Sequence, residues 1–258
     1  MKIFKLISAL TIALSLTLIM PIQMITFAEP TAAQLAESEA IMATVQNRNN
    51  QIIAMKLANP NQPITIIEGN EVVYIIAYIN FSGAAANETI DGVTFRQAFL
   101  DGVVENWRGD KDGIYVHVIA IDMGTRPETL TNQRSLSVMI SQGTGISRLE
   151  EFRWWTPRTP SSIIMFQGDH RALLGRESRY TLDEFKSVSA HEFGHALGIS
   201  DTFRLDIVTI MGPHMWSTNA TRLDLELALA AHRAGRWQSF DDNRRLIDRY
   251  GTIWWWLL

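Results

Sequence analysis

The chain of 258 residues contains no cysteine. Disulfide bonds are therefore excluded as a source of stability, whatever compartment the protein occupies. An excess of positive charge is also missing, because 23 Lys and Arg residues face 27 Asp and Glu residues, for a formal net charge of −4. A mildly acidic chain gives no reason to expect a nucleic-acid partner, since phosphates attract basic surfaces. The length fits one domain together with processed segments.

The longest apolar run lies at the start of the chain. Two lysines precede an apolar stretch from Leu6 to about Met20, and Thr26 and Ala28 supply small side chains at a cleavage site. This order predicts a secretory signal peptide over residues 1–28, whose removal takes away two Lys and no acid and changes the formal charge from −4 to −6. An uncleaved membrane anchor is the alternative interpretation. After cleavage, we expect no stable membrane insertion.

Residues 29–70 differ from the rest in being rich in Ala, Gln and Asn. A helical pattern over about Ala33–Leu57 stops before the prolines at positions 60 and 63. This segment is either a propeptide or an N-terminal helical extension. From residue 71 to residue 258 the pattern is that of one folded domain.

Strand and helix patterns alternate within residues 71–258. β-Branched and aromatic residues predict strands, and apolar residues about four apart predict helices. The order predicts an α+β fold, with a mixed sheet backed by two helices and a further helix near the end of the chain. The predicted strands are Val72–Ile79, Tyr115–Ile121, Ser135–Ser141 and Ser162–Gln167, and the predicted helices are Phe95–Trp107, one beginning at Thr181, and Thr221–Ala234.

The most informative stretch covers residues 191–201, which read His-Glu-Phe-Gly-His-Ala-Leu-Gly-Ile-Ser-Asp. On a helix of about 3.6 residues per turn, His191 and His195 share one face and can reach one metal ion. Glu192 then lies beside the metal, where it can take a proton from a metal-bound water. Gly198 can end the helix, which would place Asp201 to supply a third ligand.

The residues before this stretch predict that it lies inside a helix. Thr181 is a suitable N-cap, and Glu184 is the matching partner for a capping box. Phe185, Val188 and Leu197 can form an apolar stripe along that helix, with Phe193 as a further candidate. The motif therefore has the helical setting that metal binding by two histidines requires.

Met211 follows Asp201 by ten residues, within the sequence Ile-Met-Gly-Pro. Together with the motif, it resembles the metzincin superfamily of zinc endopeptidases, whose extended motif H-E-x-x-H-x-x-G-x-x-H/D precedes a tight Met-turn. The Asp variant is similar to the snapalysin type, which are small secreted bacterial proteases. The resemblance implies one catalytic Zn²⁺ ion held by His191, His195 and Asp201, with structural calcium left unassigned. Glu192 would act on the zinc-bound water, and Met211 would pack under the metal.

The same resemblance implies a metzincin-like architecture for residues 71–258. A mixed twisted sheet with a backing helix and an active-site helix would form an N-terminal subdomain to about residue 198. Residues 199–258 would form a small, mostly helical C-terminal subdomain. The implied protein is a secreted, bacterial endopeptidase that cleaves a protein or peptide substrate, and we expect it to be a monomer. The absent cysteine excludes the latency of matrixins, in which a propeptide thiolate caps the zinc.

Two other residues compete for the third ligand position. His214 lies just past the Met-turn and is the better chemical match to zinc, while Asp206 lies in the intervening loop. The family spacing favours Asp201. Because Asp is shorter than His, its loop must approach the metal more closely, and its negative charge weakens the acidity of the bound water. Pro213 stands where astacins and serralysins carry a tyrosine, so no tyrosine is assigned that role.

Substrate binding and the C-terminus give further expectations. By family resemblance, the fourth strand is predicted to be the edge that binds substrate as an added strand, with an internal strand of no ligand role as the alternative. That edge would comprise Ile163, Ile164, Met165 and Phe166. The terminal Trp254-Trp255-Trp256 is expected to pack on the domain, in preference to covering the cleft or contacting a membrane surface.

Two other functions are compatible with the motif. One is a catalytically inactive, metzincin-like binding module, against which the intact Glu192 argues. The other is a zinc hydrolase that acts on a non-peptide bond.

Overall fold

The computed structural model describes residues 32–125, 133–150, 162–171, 176–202, 208–212 and 219–238. The chain divides into two compact units, Met1–Gln46 and Asn47–Leu258. The predicted signal peptide and the tryptophans at 254–256 lie outside the described residues. Among the described helices, none has both the length and the apolar composition needed to cross a bilayer.

The described residues form an α+β fold with four α-helices. The helices are α1 (Ala32–Leu57), α2 (Phe95–Trp107), α3 (Leu182–Ala196) and α4 (Arg222–Ala234), and a short 3-10 turn covers Met123–Thr125. The strands are β1 (Ile64–Glu68), β2 (Val72–Ser82), β3 (Thr89–Ile90), β4 (Val93–Thr94), β5 (Gly109–Lys111), β6 (Ile114–Asp122), β7 (Leu136–Gly145), β8 (Arg148–Glu150), β9 (Ser162–Arg171) and β10 (Arg176–Arg179).

Eight of the strands form one sheet, which is mixed as the sequence predicted. Its order is β10-β9-β7-β2-β6-β5, with β1 paired to β2 and β8 paired to β9. The contacts of β2 with β6 and β7, and of β7 with β9, are parallel. The strands β1, β5, β8 and β10 run antiparallel to their neighbours. The centre of the sheet is therefore parallel, and antiparallel strands are added around it.

Strand β2 shows why the sheet is covered on both faces. Successive side chains of a strand point to opposite faces. Ile75 and Ile79 enter the main core, which they share with residues of α2, α3 and α4. Ile76 and Tyr78 enter a smaller cluster that contains Ala54 of α1. All four side chains on β2 are at most 1% exposed, which explains why this strand is a continuous apolar run.

Strand β1 was not predicted. It pairs with β2 from Ile64, opposite Ala77, to Glu68, opposite Val73. Ile64 and Ile66 belong to the main core. The sheet therefore includes residues 64–68, which lie in the segment assigned to a propeptide or extension.

Helix α2 has the predicted limits and braces the helix that carries the motif. Gly102 lies against the backbone of Lys186, where an added Cβ would overlap the carbonyl oxygen. The indole Nε1 of Trp107 donates a hydrogen bond to the carbonyl of Ala190 over 3.0 Å. The same ring packs edge-on against Phe193. These buried contacts fix the half of α3 that carries the two histidines of the motif.

Candidate metal centre

Helix α3 begins at the predicted N-cap. The side chain of Thr181 accepts a hydrogen bond from the N–H of Glu184 (3.3 Å), and the Glu184 carboxylate accepts one from the N–H of Thr181 (2.8 Å). This capping box satisfies backbone donors that a helix start otherwise leaves unpaired. The helix places His191 and His195 on one face, with ring centroids 4.8 Å apart.

The helix ends directly after the second histidine. Gly198 adopts a φ of +95°, a conformation that strains other residues. Its N–H donates to the carbonyl of His195 (2.9 Å), and the N–H of Ile199 donates to the carbonyl of Gly194 (3.1 Å). These bonds reverse the chain, so that Asp201 returns to the face of α3 that carries the histidines.

Three candidate ligand atoms converge at this point. The Nε2 atoms of His191 and His195 lie 3.1 Å and 3.4 Å from the same oxygen, Oδ1 of Asp201. The histidine side chains are 12% and 13% exposed, whereas that of Asp201 is 48% exposed. Ligand atoms of His191, Glu192 and His195 also lie within 4.8 Å of one another, and this group could hold a metal ion.

Backbone carbonyls fix both imidazole rings. Nδ1 of His191 lies 2.8 Å from the carbonyl oxygen of Ile210, and Nδ1 of His195 lies 2.8 Å from that of Ile199. Since a carbonyl can only accept, each Nδ1 carries a proton and donates it. Both Nε2 atoms are therefore turned towards Asp201. Ligand histidines in metal sites are oriented by bonds of this kind.

The charged groups of the cluster stabilise one another. Burial alone would raise the pKa of Asp201, but hydrogen bonds to His191 and His195 outweigh it and hold the pKa below its ordinary value. Burial likewise favours a lower pKa for His191, yet the hydrogen bond to Asp201 and the charge of Glu192 raise it above the ordinary value. Both shifts favour the charged form, so Asp201 is an ionised carboxylate at neutral pH.

Glu192 is the buried carboxylate of the cluster. The residue is only 4% exposed, and burial raises its pKa against the opposing influence of His195 and His191. Its Oε2 atom has no hydrogen-bond partner among the described residues. A buried acceptor left unsatisfied costs about 1–3 kcal/mol, so such an oxygen calls for a functional explanation. Glu192 lines the adjacent cavity, where a small molecule can donate a hydrogen bond to it.

A tight turn lies beneath the cluster. The N–H of Gly212 donates to the carbonyl of Thr209 over 3.1 Å. Met211 within this turn is fully buried, and a Cβ added to Gly194 would overlap its sulfur atom. The carbonyl of Met211 accepts a hydrogen bond from the N–H of Thr202 (3.0 Å), the residue after Asp201. Met211 thus supports both the motif helix and the Asp201 loop.

The side chain of Asp224 is hydrogen-bonded to this turn. One carboxylate oxygen accepts a hydrogen bond from the hydroxyl of Thr209. The other accepts from the N–H of Ile210 (3.4 Å) and from the N–H and hydroxyl of Thr221 (2.7 Å each). Asp224 is completely buried. Asp224 is also the capping-box partner of Thr221 at the start of α4, so its bonds to the turn give it a second role.

A cavity of about 450 Å³ opens beside the cluster. His191, Glu192, His195 and Asp201 contribute to its wall. Residues 146–149, Tyr180 and Trp237 complete much of the remainder. None of these additional residues was predicted to line the site.

Trp237 reaches the site through a long-range contact. Gln238 forms a parallel bridge with Ile199, with its N–H donating to the carbonyl of Gly198 (2.8 Å) and its carbonyl accepting from the N–H of Ser200 (3.0 Å). The ring of Trp237 consequently lies 5.9 Å from that of His195 between centroids. Linear sequence carries no signal for this contact, because the bridge joins segments 39 positions apart.

The strand predicted to bind substrate, β9, has neighbouring strands on both sides. β7 lies on one side of it, and β8 and β10 lie on the other. Leu149 pairs with Ile163 and Arg148 pairs with Ile164, while Ile163, Ile164 and Met165 are buried. The sequence predicted neither of these short strands: β8 pairs with residues 162–164, β10 pairs with residues 168–171, and residues 146–149 line the cavity.

The two competing third ligands lie outside the described residues. Asp206 falls within residues 203–207, and His214 and Pro213 fall within residues 213–218. Asp201 is the candidate that the described geometry brings to the histidines. Comparisons with protein-family models and with curated proteins found no match to this chain.

Proposed function

We propose that this protein is a metzincin-type zinc endopeptidase, with the Asp third ligand of the snapalysin type, that acts after export from the cell. One observation carries the proposal: Oδ1 of Asp201 lies 3.1 Å and 3.4 Å from the Nε2 atoms of His191 and His195, beside the buried Glu192. The signal-like N-terminal sequence supports export.

The donor set fits zinc. Two imidazole nitrogens and one carboxylate oxygen are ordinary zinc ligands, with bond lengths of about 2.0–2.2 Å. Ligand atoms at that radius around a tetrahedral ion are separated by about 3.4 Å, close to the spacing of these nitrogens and this oxygen. Three protein ligands leave one position open, as catalytic zinc sites do. When bound there, zinc would polarise a substrate carbonyl and lower the pKa of water.

Glu192 supplies the proton transfer of the proposed reaction. Its unpartnered Oε2 accepts the proton of a water molecule as the water oxygen bonds to the carbonyl carbon of the scissile peptide. Glu192 then donates this proton to the amide nitrogen as the carbon–nitrogen bond breaks. The products are a carboxylic acid and an amine, and no oxidant or reductant is required. Positioned acid–base groups of this kind contribute about 10²–10⁴-fold to a rate.

The other site residues keep the ligands in place. The carbonyls of Ile210 and Ile199 hold the two imidazoles, so the rings need little reordering to bind a metal. The cavity of about 450 Å³ has room for peptide side chains next to Glu192. Protein or peptide is therefore the proposed substrate.

The test compares Glu192→Gln with the wild-type full chain. Zinc content is measured by mass spectrometry, and cleavage is measured on casein and on a proteome-derived peptide library. The variant should retain zinc and lose about 10²-fold or more of its activity, because Gln cannot accept the proton. Glu184→Gln is the matched control, since a capping box accepts Gln in place of Glu.

Three outcomes would contradict the proposal. Full cleavage by Glu192→Gln would remove Glu192 from the proton transfer. A zinc-loaded wild type that binds peptides without cleaving them would indicate a binding module. Chelator-sensitive hydrolysis confined to ester substrates would indicate a hydrolase of non-peptide bonds.

A further inference from the structure

Tyr180 occupies a fixed position at the start of the motif helix. It directly precedes the N-cap Thr181, and its N–H donates to the carbonyl of Gln167 in β9 over 3.0 Å. Its ring packs against Phe185, with centroids 6.4 Å apart. Backbone and ring are therefore held by the sheet and the core, while the residue also lines the cavity.

The hydroxyl of Tyr180 interacts with residues that also line the cavity. It is hydrogen-bonded to the side chain of Ser147, and the carboxylates of Asp169 and Glu192 influence it. Ser147, Asp169 and Glu192 all line the same cavity as Tyr180. Burial, followed by these two carboxylates, raises the pKa of Tyr180 well above its ordinary value. The phenol therefore keeps its proton at neutral pH.

Ser147 can act as a hydrogen-bond donor to Tyr180. Its oxygen accepts a hydrogen bond from the N–H of Phe166 over 3.3 Å. Because a serine hydroxyl can donate while it accepts, the Ser147 proton can bond to the phenol oxygen of Tyr180. With its oxygen accepting from Ser147, Tyr180 has its own O–H left to donate to a molecule in the cavity.

We propose that Tyr180 is a further catalytic residue, whose hydroxyl donates a hydrogen bond to the substrate carbonyl oxygen as that oxygen gains negative charge. This inference rests on the proposed peptidase function. The donor is held before the reaction by Ser147 and by packing on Phe185, so it needs no reorganisation when charge develops. Loss of one such donor typically lowers kcat by about 10²–10³-fold.

The test is Tyr180→Phe, which keeps the ring on Phe185 and removes only the hydroxyl. On the library peptide that the wild type cleaves fastest, kcat should fall about 10²-fold with little change in KM, because the bond forms with the charged oxygen. Zinc content should be unchanged. Tyr115→Phe is the matched control, since this tyrosine on β6 is 42% exposed and does not line the cavity.

A binding measurement gives a readout that does not depend on turnover. A phosphinate peptide carries a charged oxygen on a tetrahedral centre, and its affinity is measured by calorimetry with zinc-loaded protein. The Tyr180→Phe variant should bind the phosphinate more weakly by about the factor lost in kcat. In the Glu192→Gln background, adding Tyr180→Phe should leave the affinity for the uncleaved parent peptide unchanged.

The following results distinguish the proposed role of Tyr180 from the proposed peptidase function. Unchanged kcat and phosphinate affinity in Tyr180→Phe would overturn this inference and leave the peptidase function standing. Loss of zinc, or an equal loss of peptide and phosphinate affinity, would assign Tyr180 a structural role and would also overturn it. A wild type without cleavage activity would overturn the proposed function itself.

Discussion

Asp224 and His191 are joined through a single residue, Ile210. The Asp224 carboxylate accepts a hydrogen bond from the N–H of Ile210 (3.4 Å), and the carbonyl of Ile210 lies 2.8 Å from Nδ1 of His191. A buried acid on α4 thereby sets the orientation of a candidate metal ligand on α3.

Replacement of this acid should affect stability and metal binding together. Asp224→Asn puts an NH₂ group where an oxygen accepts from backbone and hydroxyl donors, which should cost roughly 3 kcal/mol in the free energy of unfolding. Zinc affinity should fall about 10–100-fold, as it does when partners of ligand histidines are removed. Urea denaturation and zinc titration measure the two effects. The control is Asp183→Asn, at an exposed position in the first turn of α3. Equal stability and equal zinc affinity of the two variants would show that Asp224 does not orient His191 through Ile210.

The third ligand can be assigned by metal analysis. Asp201→Ala removes the oxygen that lies 3.1 Å and 3.4 Å from the two imidazole nitrogens, so the purified variant should lose its zinc. His214→Ala should retain it. Mass spectrometry of both proteins at equal zinc exposure gives the answer. Zinc lost only from the His214 variant would transfer the ligand role to that residue.

The contact of Gly194 with Met211 predicts a clash. A Cβ at position 194 would overlap the Met211 sulfur and lie 3.2 Å from the ring of Trp107. Gly194→Ala should therefore cost about 1–3 kcal/mol, typical of an overpacked core, and reduce zinc affinity by displacing the turn. Adding Met211→Ala makes room, so the double variant should be less destabilised than the sum of the single changes. Additive losses would show that the two residues do not compete for space.

Removal of the metal should lower stability without unfolding the protein. A ligand at a thousandfold excess over its Kd stabilises a fold by about 4 kcal/mol, and a chelator removes that contribution. The main core between the sheet and its helices does not depend on the metal ligands, so the far-UV circular dichroism at 25 °C should persist. Thermal melts with and without chelator check this. Glu192→Gln should respond like the wild type, and a Tm insensitive to the chelator in both would contradict a bound metal.

Features that depend on residues close together in the sequence were predicted well. The limits of α2 and the N-cap at Thr181 are present as predicted, because helical periodicity and capping act within a few residues. The proximity of His191, Glu192 and His195 follows from helix geometry alone. These are the parts of the fold in which neighbours in sequence are also neighbours in space.

Features that depend on distant partners were missed. The strands β8 and β10 have three and four residues and exist through their pairing with β9, so they offer almost no pattern of their own. The pairing of residues 162–164 and 168–171 with these strands was therefore not predicted. Trp237 reaches His195 only because Gln238 pairs with Ile199, a contact that periodicity cannot reveal.

The loop that carries Asp201 is held from two directions. Thr202 is bonded to Met211 on one side, and Gly198 and Ser200 are bonded to Gln238 on the other. Such a loop opens only when both attachments are lost together, which is a rarer event than the fraying of a single surface loop. The residence time of a metal in this site would then be set by cooperative opening of the region beyond α3. Bound zinc would exchange slowly because this region opens rarely, and the strength of the metal–ligand bonds would not be the only cause.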